Sequence, residues 1–155
     1  MLGYHTEVDS REFAEIFPYY LYRLLAVDLK RLCGSSKSEQ NRARSLVEDY
    51  FAREERFASL QVFIDESILC TVINYKVKNE GEMLQAVQML SNRLNKLYPQ
   101  SLMVLSRKFS ELNHMRDIYM QEIQTEIGSG FYSDKNLIIS KEIREVKELD
   151  RFEFE

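Results

Sequence analysis

The segment FASLQVFIDESILCTVINYKV, residues 57–77, decides the fold of this chain. Two apolar runs rich in β-branched residues flank Asp65-Glu66-Ser67, a pattern that predicts a strand, a tight turn and a second strand. Side chains alternate between the two faces of a strand. The second strand therefore has one predicted face with Leu69, Ile73 and Tyr75 and another with Ile68, Cys70 and Val72.

The elements around the hairpin suggest a complete sheet. Tyr19 to Leu32 has a continuously apolar centre and predicts a strand buried on both faces in the middle of a sheet. A helix capped by Ser36 precedes the hairpin, and a helix capped by Asn79 follows it. Next come a strand at 101–109, a third helix capped by Ser110, and a short strand at 136–140.

This order predicts an α+β domain with a ferredoxin-like βαββαβ core, in which helices pack on one side of an antiparallel sheet. We expect a helical lead-in over residues 1–18, ending at Pro18, and the α+β domain over residues 19–140. Residues 141–155 are highly charged and predict a helical linker or tail.

Composition excludes several classes of protein. The 155 residues carry a net charge of -4 with a pI near 5.4, whereas binding to a phosphate backbone needs clustered basic residues, so we expect no direct nucleic-acid binding. No apolar run approaches the length of a membrane span, and no signal peptide is recognisable. The two cysteines are isolated, which favours a reducing, cytoplasmic location.

Motifs for catalysis and cofactors are missing from the sequence. No glycine-rich run opens a helix after a strand, as phosphate-binding loops require. His5 and His114 have no partner at metal-ligand spacing, and Cys33 and Cys70 have no local reason to meet a histidine. We therefore predict no catalytic residue, no metal site and no cofactor.

Carboxylates supply the candidate ligand-binding residues. Asp28 lies near the end of the first strand and Asp65 and Glu66 lie at the hairpin tip, two places that the βαββ order makes neighbours. Carboxylates converging at a strand end offer oxygen ligands for Mg²⁺. The alternative is that Asp28 caps the strand end and that the tip residues serve only the turn.

Three segments carry a resemblance to a known family: YRLLAVDLKRL (22–32), LMVLSRKFSELNHMRDIYMQEI (102–123) and FYSDKNLII (131–139). With the hairpin, they resemble the degenerate GGDEF-like domain found in the middle of bacterial AraC-type transcription regulators and two-component response regulators. The recurring features are a strand ending in Ser106, a helix with Tyr119 on its inner face, and the pair Phe131-Tyr132. The resemblance covers roughly residues 21–140.

Diguanylate cyclases of the same superfamily place GG(D/E)EF at the hairpin turn, a metal-binding Asp at the end of the first strand, and an Asn-Asp pair soon after it. Asp28 matches that first Asp. The tip FIDESIL (63–69) has no glycine, and no Asn-Asp pair follows Asp28. Because phosphoryl transfer depends on these parts acting together, we expect no cyclase activity and no enzyme.

The resemblance implies a non-catalytic regulatory or signal-relay domain. Its expected partners are a neighbouring receiver domain and a helix-turn-helix DNA-binding domain, with a homodimer as a further possibility. One alternative is a domain that senses a nucleotide or another small molecule without turnover. A second alternative is an enzyme of unrecognised class, since a ferredoxin-like scaffold hosts many functions.

Overall fold

A computed structural model describes residues 17–33, 36–65, 67–130 and 137–140. Within these residues the chain has an α+β fold with a five-stranded mixed sheet. The predicted tail, Phe131-Tyr132, Glu66 and residues 1–16 of the predicted lead-in helix lie outside the described residues.

The strands are β1 (Leu21–Asp28), β2 (Ala58–Asp65), β3 (Ile68–Tyr75), β4 (Met103–Leu105) and β5 (Leu137–Ile139). They lie in the order β2-β3-β1-β4-β5. β1 pairs antiparallel with both β3 and β4, β2 pairs antiparallel with β3, and β5 is parallel to β4. The apolar β1 is therefore the central strand, as predicted.

The first strand is shorter than the sequence suggests. The prediction extended it to Leu32, but β1 ends at Asp28 and a short helix, α1 (Leu29–Cys33), follows at once. The physical reason is a local hydrogen bond, in which the backbone N–H of Arg31 donates to Oδ1 of Asp28 at 3.1 Å. A carboxylate that accepts from the first turn of a helix favours helix initiation at this point.

Two long helices flank the hairpin in sequence, α2 (Lys37–Ala52) and α3 (Glu80–Leu97). The predicted cap of α2 is confirmed, because the N–H of Glu39 donates to Oγ of Ser36 at 3.4 Å. Asn79 occupies the predicted N-cap position of α3, but its side chain makes no capping hydrogen bond. A single 3-10 turn, Val77–Asn79, leads into α3 instead.

After β4 the chain forms a 3-10 turn at Leu112–His114, then α4 (Met115–Ile118), a π-helical turn (Tyr119–Ile123) and α5 (Gln124–Gly130). These last three elements follow one another without a gap and are called the helical segment 115–130. The 3-10 turn begins at Leu112 with Glu111 at its N-cap position, so the predicted cap at Ser110 is wrong.

The sheet is covered on both faces, and the prediction of helices on one side alone is wrong. One apolar cluster joins Leu25 and Val27 of β1 to α2 and α3. A second joins Leu24 and Ala26 of the same strand to the helical segment 115–130, including Tyr119, which is buried as predicted. β1 and β3 are apolar on both faces, and such strands need a covering layer on each side.

The predicted alternation along β3 is confirmed. Leu69, Ile73 and Tyr75 lie in the cluster under α2 and α3, whereas Ile68, Cys70 and Val72 lie in the cluster under the helical segment 115–130. None of the helices in the described part of the chain combines the length and apolar character that crossing a lipid bilayer requires.

Candidate functional site

Asp28 and the hairpin tip are neighbours in the sheet. Asp28 of β1 and Asp65 of β2 both pair with Ile68 of β3, one from each side. The N–H of Leu29 also donates to the carbonyl oxygen of Ser67 at 2.8 Å. Since adjacent strands lie about 4.8 Å apart, the backbones at Asp28 and Asp65 are separated by roughly 10 Å.

The carboxylate of Asp28 is half-buried, and one of its oxygens is engaged within its own chain by the N–H of Arg31. The guanidinium of Arg31 in turn donates to the carbonyl oxygen of Gln100 at 3.1 Å. Glu66 and the side chain of Asp65 lie outside the described part of the chain, so a ligand-binding role for these two residues stays a prediction. Among the described residues, no group of three or more potential ligands gathers as a metal site.

A second feature is an open groove of about 550 Å³ between α2 and α3. Tyr50 lines it, donates to the carbonyl oxygen of Ala86 at 2.7 Å, and carries the guanidinium of Arg93 over its ring at 5.5 Å. Burial raises the pKa of Tyr50, and the positive charge of Arg93 partly opposes that shift. The phenol therefore stays protonated and serves as a hydrogen-bond donor.

Ion pairs form part of the lining of this groove. Arg56 binds Glu54 through two nitrogens, at 2.6 and 2.8 Å, and reaches Glu82 of α3 at 3.2 Å. The hydrogen bond from Arg56 holds the pKa of Glu54 below its ordinary value. Asp49 and Arg53 also line the groove, so that it offers charges of both signs to a ligand.

A third feature, which the sequence analysis missed, is a buried arginine in the central strand. Arg23 is 4% exposed, although it stands inside the apolar run of β1. Its guanidinium donates to Oη of Tyr75 at 3.2 Å, to the carbonyl oxygen of Ser106 at 2.9 Å, and to Oε1 of Glu80 at 3.2 Å. Tyr75 donates to the same oxygen of Glu80 at 3.3 Å, and Lys108 lies 3.7 Å from it.

Polar contacts continue from this cluster to the other face of the sheet. The N–H of Arg107 donates to Oε1 of Glu122 at 2.9 Å, and its guanidinium lies 2.8 Å from Oε2. Glu122 is 7% exposed and belongs to the π-helical turn, a distortion that recurs at functional sites. We call this series, Glu80, Arg23, Ser106, Arg107 and Glu122, the polar chain.

The polar chain connects the two helical layers. Glu80 begins α3 on one face of the sheet, Ser106 and Arg107 directly follow β4, and Glu122 lies in the helical segment on the other face. Ser106 is also fixed to β1, because its Oγ accepts from the N–H of Leu24 at 2.8 Å. Loss of Arg23 would take a donor from Glu80, and loss of Arg107 would take a cation from the buried Glu122, and losing such a contact is costly in a protein interior.

One signal in the sequence points to the polar chain. Arg23 is the single charged residue between Leu21 and Val27, and a charge inside a buried strand requires a partner. Its partners stand 52 to 83 residues away along the chain, so the sequence alone does not identify them.

Comparison of this chain with protein-family models, with curated proteins and with solved structures found no match in any of the three.

Proposed function

We propose that this chain is a non-catalytic regulatory domain of the GGDEF-like type, acting in the cytoplasm as a relay within a bacterial response regulator or AraC-type transcription regulator. The proposal rests on the residues at the hairpin end of the sheet, where most parts of the cyclase site are missing. Asp28 stands where the cyclases keep a metal-binding Asp, yet one of its oxygens accepts from Arg31, and the turn beside it contains no glycine.

The arrangement of strands supports the same family. The order β2-β3-β1-β4 with antiparallel pairing throughout is the one expected of a ferredoxin-like βαββαβ core, and β5 extends it by one parallel strand. The polar chain supports a role as a relay, because it gives α3 and the helical segment 115–130 a shared set of contacts. A receiver domain, a helix-turn-helix domain and a second copy of the chain are the partners this role implies.

We expect no turnover when the protein is incubated with GTP and Mg²⁺ or Mn²⁺. The glycine-free turn lacks the close backbone approach to the triphosphate, and a single aligned carboxylate does not replace the missing parts. Chromatography of the reaction mixture for cyclic dinucleotide or diphosphate is the measurement. Product formation that disappears in Asp28→Ala would contradict the proposal.

The same samples test the alternative, a domain that binds a nucleotide without turnover. The groove between α2 and α3 favours this alternative over a site at the hairpin, because Arg93 and Tyr50 present a cation and an aromatic ring side by side. A ligand that binds only the folded protein raises its melting temperature. A rise with GTP that is lost in Arg93→Gln, without product, would favour binding without turnover at the groove.

A further inference from the structure

β2 forms one edge of the five-stranded sheet. Among the described residues it pairs with β3 alone, whereas β1 and β3 each have a strand on both sides. Every second residue of an edge strand directs its backbone N–H and carbonyl groups away from the sheet. Within the described part of the chain, β2 therefore presents a row of hydrogen-bonding groups over its eight residues, a length of about 27 Å.

The edge of β2 has few of the features by which proteins prevent strands of two molecules from pairing. Such edges are usually very short, or they carry a lysine, a proline or a bulge. Residues 58–64, ASLQVFI, contain no charged residue and no proline. The irregularity in register lies between Phe63 and Asp65, at the far end of the strand, so that the stretch before it stays regular. β5, at the opposite edge, is only three residues long.

Two side chains at the centre of β2 have contacts left to make, one on each face. Leu60 is 37% exposed and belongs to neither apolar cluster, although Val62 on the same face is buried. On the other face, Oε1 of Gln61 accepts from the hydroxyl of Thr71 at 2.8 Å, and among the described residues no acceptor meets the amide N–H groups of Gln61. A further strand beside β2 would cover the leucine and offer an acceptor to the amide.

We propose that β2 is the surface on which a second copy of this chain docks, by antiparallel pairing with β2 of that copy about a two-fold axis near Leu60 and Gln61. The axis is perpendicular to the sheet, so either Leu60 or Gln61 lies opposite its own counterpart. In the first register Leu60 meets Leu60 of the copy, and in the second it meets Val62. Both registers bury the exposed leucine against an apolar side chain.

The charge of the edge suits a second copy. Like charges that lie opposite one another destabilise a strand pair, and a strand that pairs with itself doubles every charge it carries. Because residues 58–64 carry none, two copies meet there without local repulsion, although the whole chain has a net charge of -4.

The size of the edge indicates how tightly the copies bind. An edge about 27 Å long and about 10 Å thick buries roughly 500 Å² in total, which is below the size of a permanent interface. We therefore expect a weak, reversible dimer with a Kd on the order of 100 µM. The choice of a second copy rests on the proposed regulatory role, but the experiments below measure self-association alone. Their failure would leave the prediction of no GTP turnover untouched.

Sedimentation velocity of the full chain between about 10 and 500 µM tests the proposal across the expected Kd. We expect the sedimentation coefficient to rise with concentration from that of a monomer towards that of a dimer. A monomer at every concentration would overturn the proposal. Growth beyond a dimer would overturn it as well, because two-fold pairing leaves no free edge on β2.

Leu60→Lys locates the contact. It places two like charges beside the axis and should raise Kd at least about tenfold, while the fold of this exposed position is retained. Met89→Lys is the matched control, since Met89 of α3 is 55% exposed and lines the groove instead of the edge. It should leave Kd unchanged. Weaker association in Met89→Lys but not in Leu60→Lys would refute docking through β2.

A mixture of two variants tests pairing of the strand with itself. Leu60→Glu alone should also associate weakly, because two carboxylates then lie beside the axis, and it provides a second test should Leu60→Lys fold poorly. An equimolar mixture of Leu60→Lys and Leu60→Glu should dimerise at least about five-fold more tightly than either variant alone, since each lysine then faces a glutamate. A mixture that associates no better than its components would contradict antiparallel pairing through Leu60.

Discussion

Replacing Arg23 with Met should lower the free energy of unfolding by about 3 kcal/mol. The substitution keeps an unbranched side chain of similar length but removes every donor. Glu80 then loses its contact at 3.2 Å and the carbonyl oxygen of Ser106 loses its contact at 2.9 Å. Removing the buried partner of this ion pair is costly because the half-buried carboxylate of Glu80 stays partly desolvated. Urea unfolding followed by circular dichroism measures the change.

The matched control is Arg42→Met on α2, an exposed arginine whose contact is an i,i+3 pair with Glu39 at 3.4 Å. Such a pair contributes at most about 0.5 kcal/mol. Adding Glu80→Gln to Arg23→Met should recover part of the loss, because Glu80, left with only Tyr75 and Lys108 as partners among the described residues, is then neutral. Equal effects of Arg23→Met and Arg42→Met would show that the buried contacts contribute nothing to stability.

Ile123→Ala should lower the free energy of unfolding by a similar amount, about 3 kcal/mol. Ile123 belongs to the π-helical turn, is fully buried, and packs in the cluster that covers the second face of the sheet. Truncation removes apolar contacts and leaves a cavity that the surrounding strands fill only partly. The same urea experiment measures the loss.

Met120→Ala provides the comparison within the same π-helical turn. Met120 is 51% exposed, so its truncation should change stability by less than about 0.5 kcal/mol. A small effect at Ile123, close to that at Met120, would mean that the helical segment 115–130 does not cover the second face of the sheet.

Patterns of short period predicted the central part of the fold. The alternation along β3 assigned Leu69 and Cys70 to opposite faces because side chains in a strand repeat every two residues. The continuous apolar centre of β1 likewise predicted its central position. The order of elements was sufficient to bring Asp28 beside the hairpin.

Features that the apolar pattern does not specify were not predicted. An amphipathic helix has one apolar stripe, and that stripe does not specify which face of a sheet it covers. The helical segment 115–130 was therefore assigned to the wrong side. The end of β1 depends on one hydrogen bond from Arg31 to Asp28, which competes with the apolar pattern that continues through Leu29 and Leu32.

The contacts of the polar chain could not be predicted from the sequence either. Arg23 and Ser106 are 83 residues apart, and Arg107 and Glu122 meet only because β4 and the helical segment enclose them. Sequence spacing carries no information about such pairs. The carboxylates at the hairpin were found because their elements are adjacent in the chain order.

Transmission through the polar chain is the property on which a regulatory role depends, and amide hydrogen exchange in Glu122→Gln tests it most directly. The substitution weakens the contact with Arg107 on one face of the sheet. We expect exchange about five-fold faster at residues 84–88 of α3 on the other face and at Leu24, since a loss of about 1 kcal/mol in local stability has this effect. Asp117→Asn, an exposed change in the same helical segment, should leave these amides unaltered. Faster exchange confined to residues 115–130 would contradict coupling between the two layers.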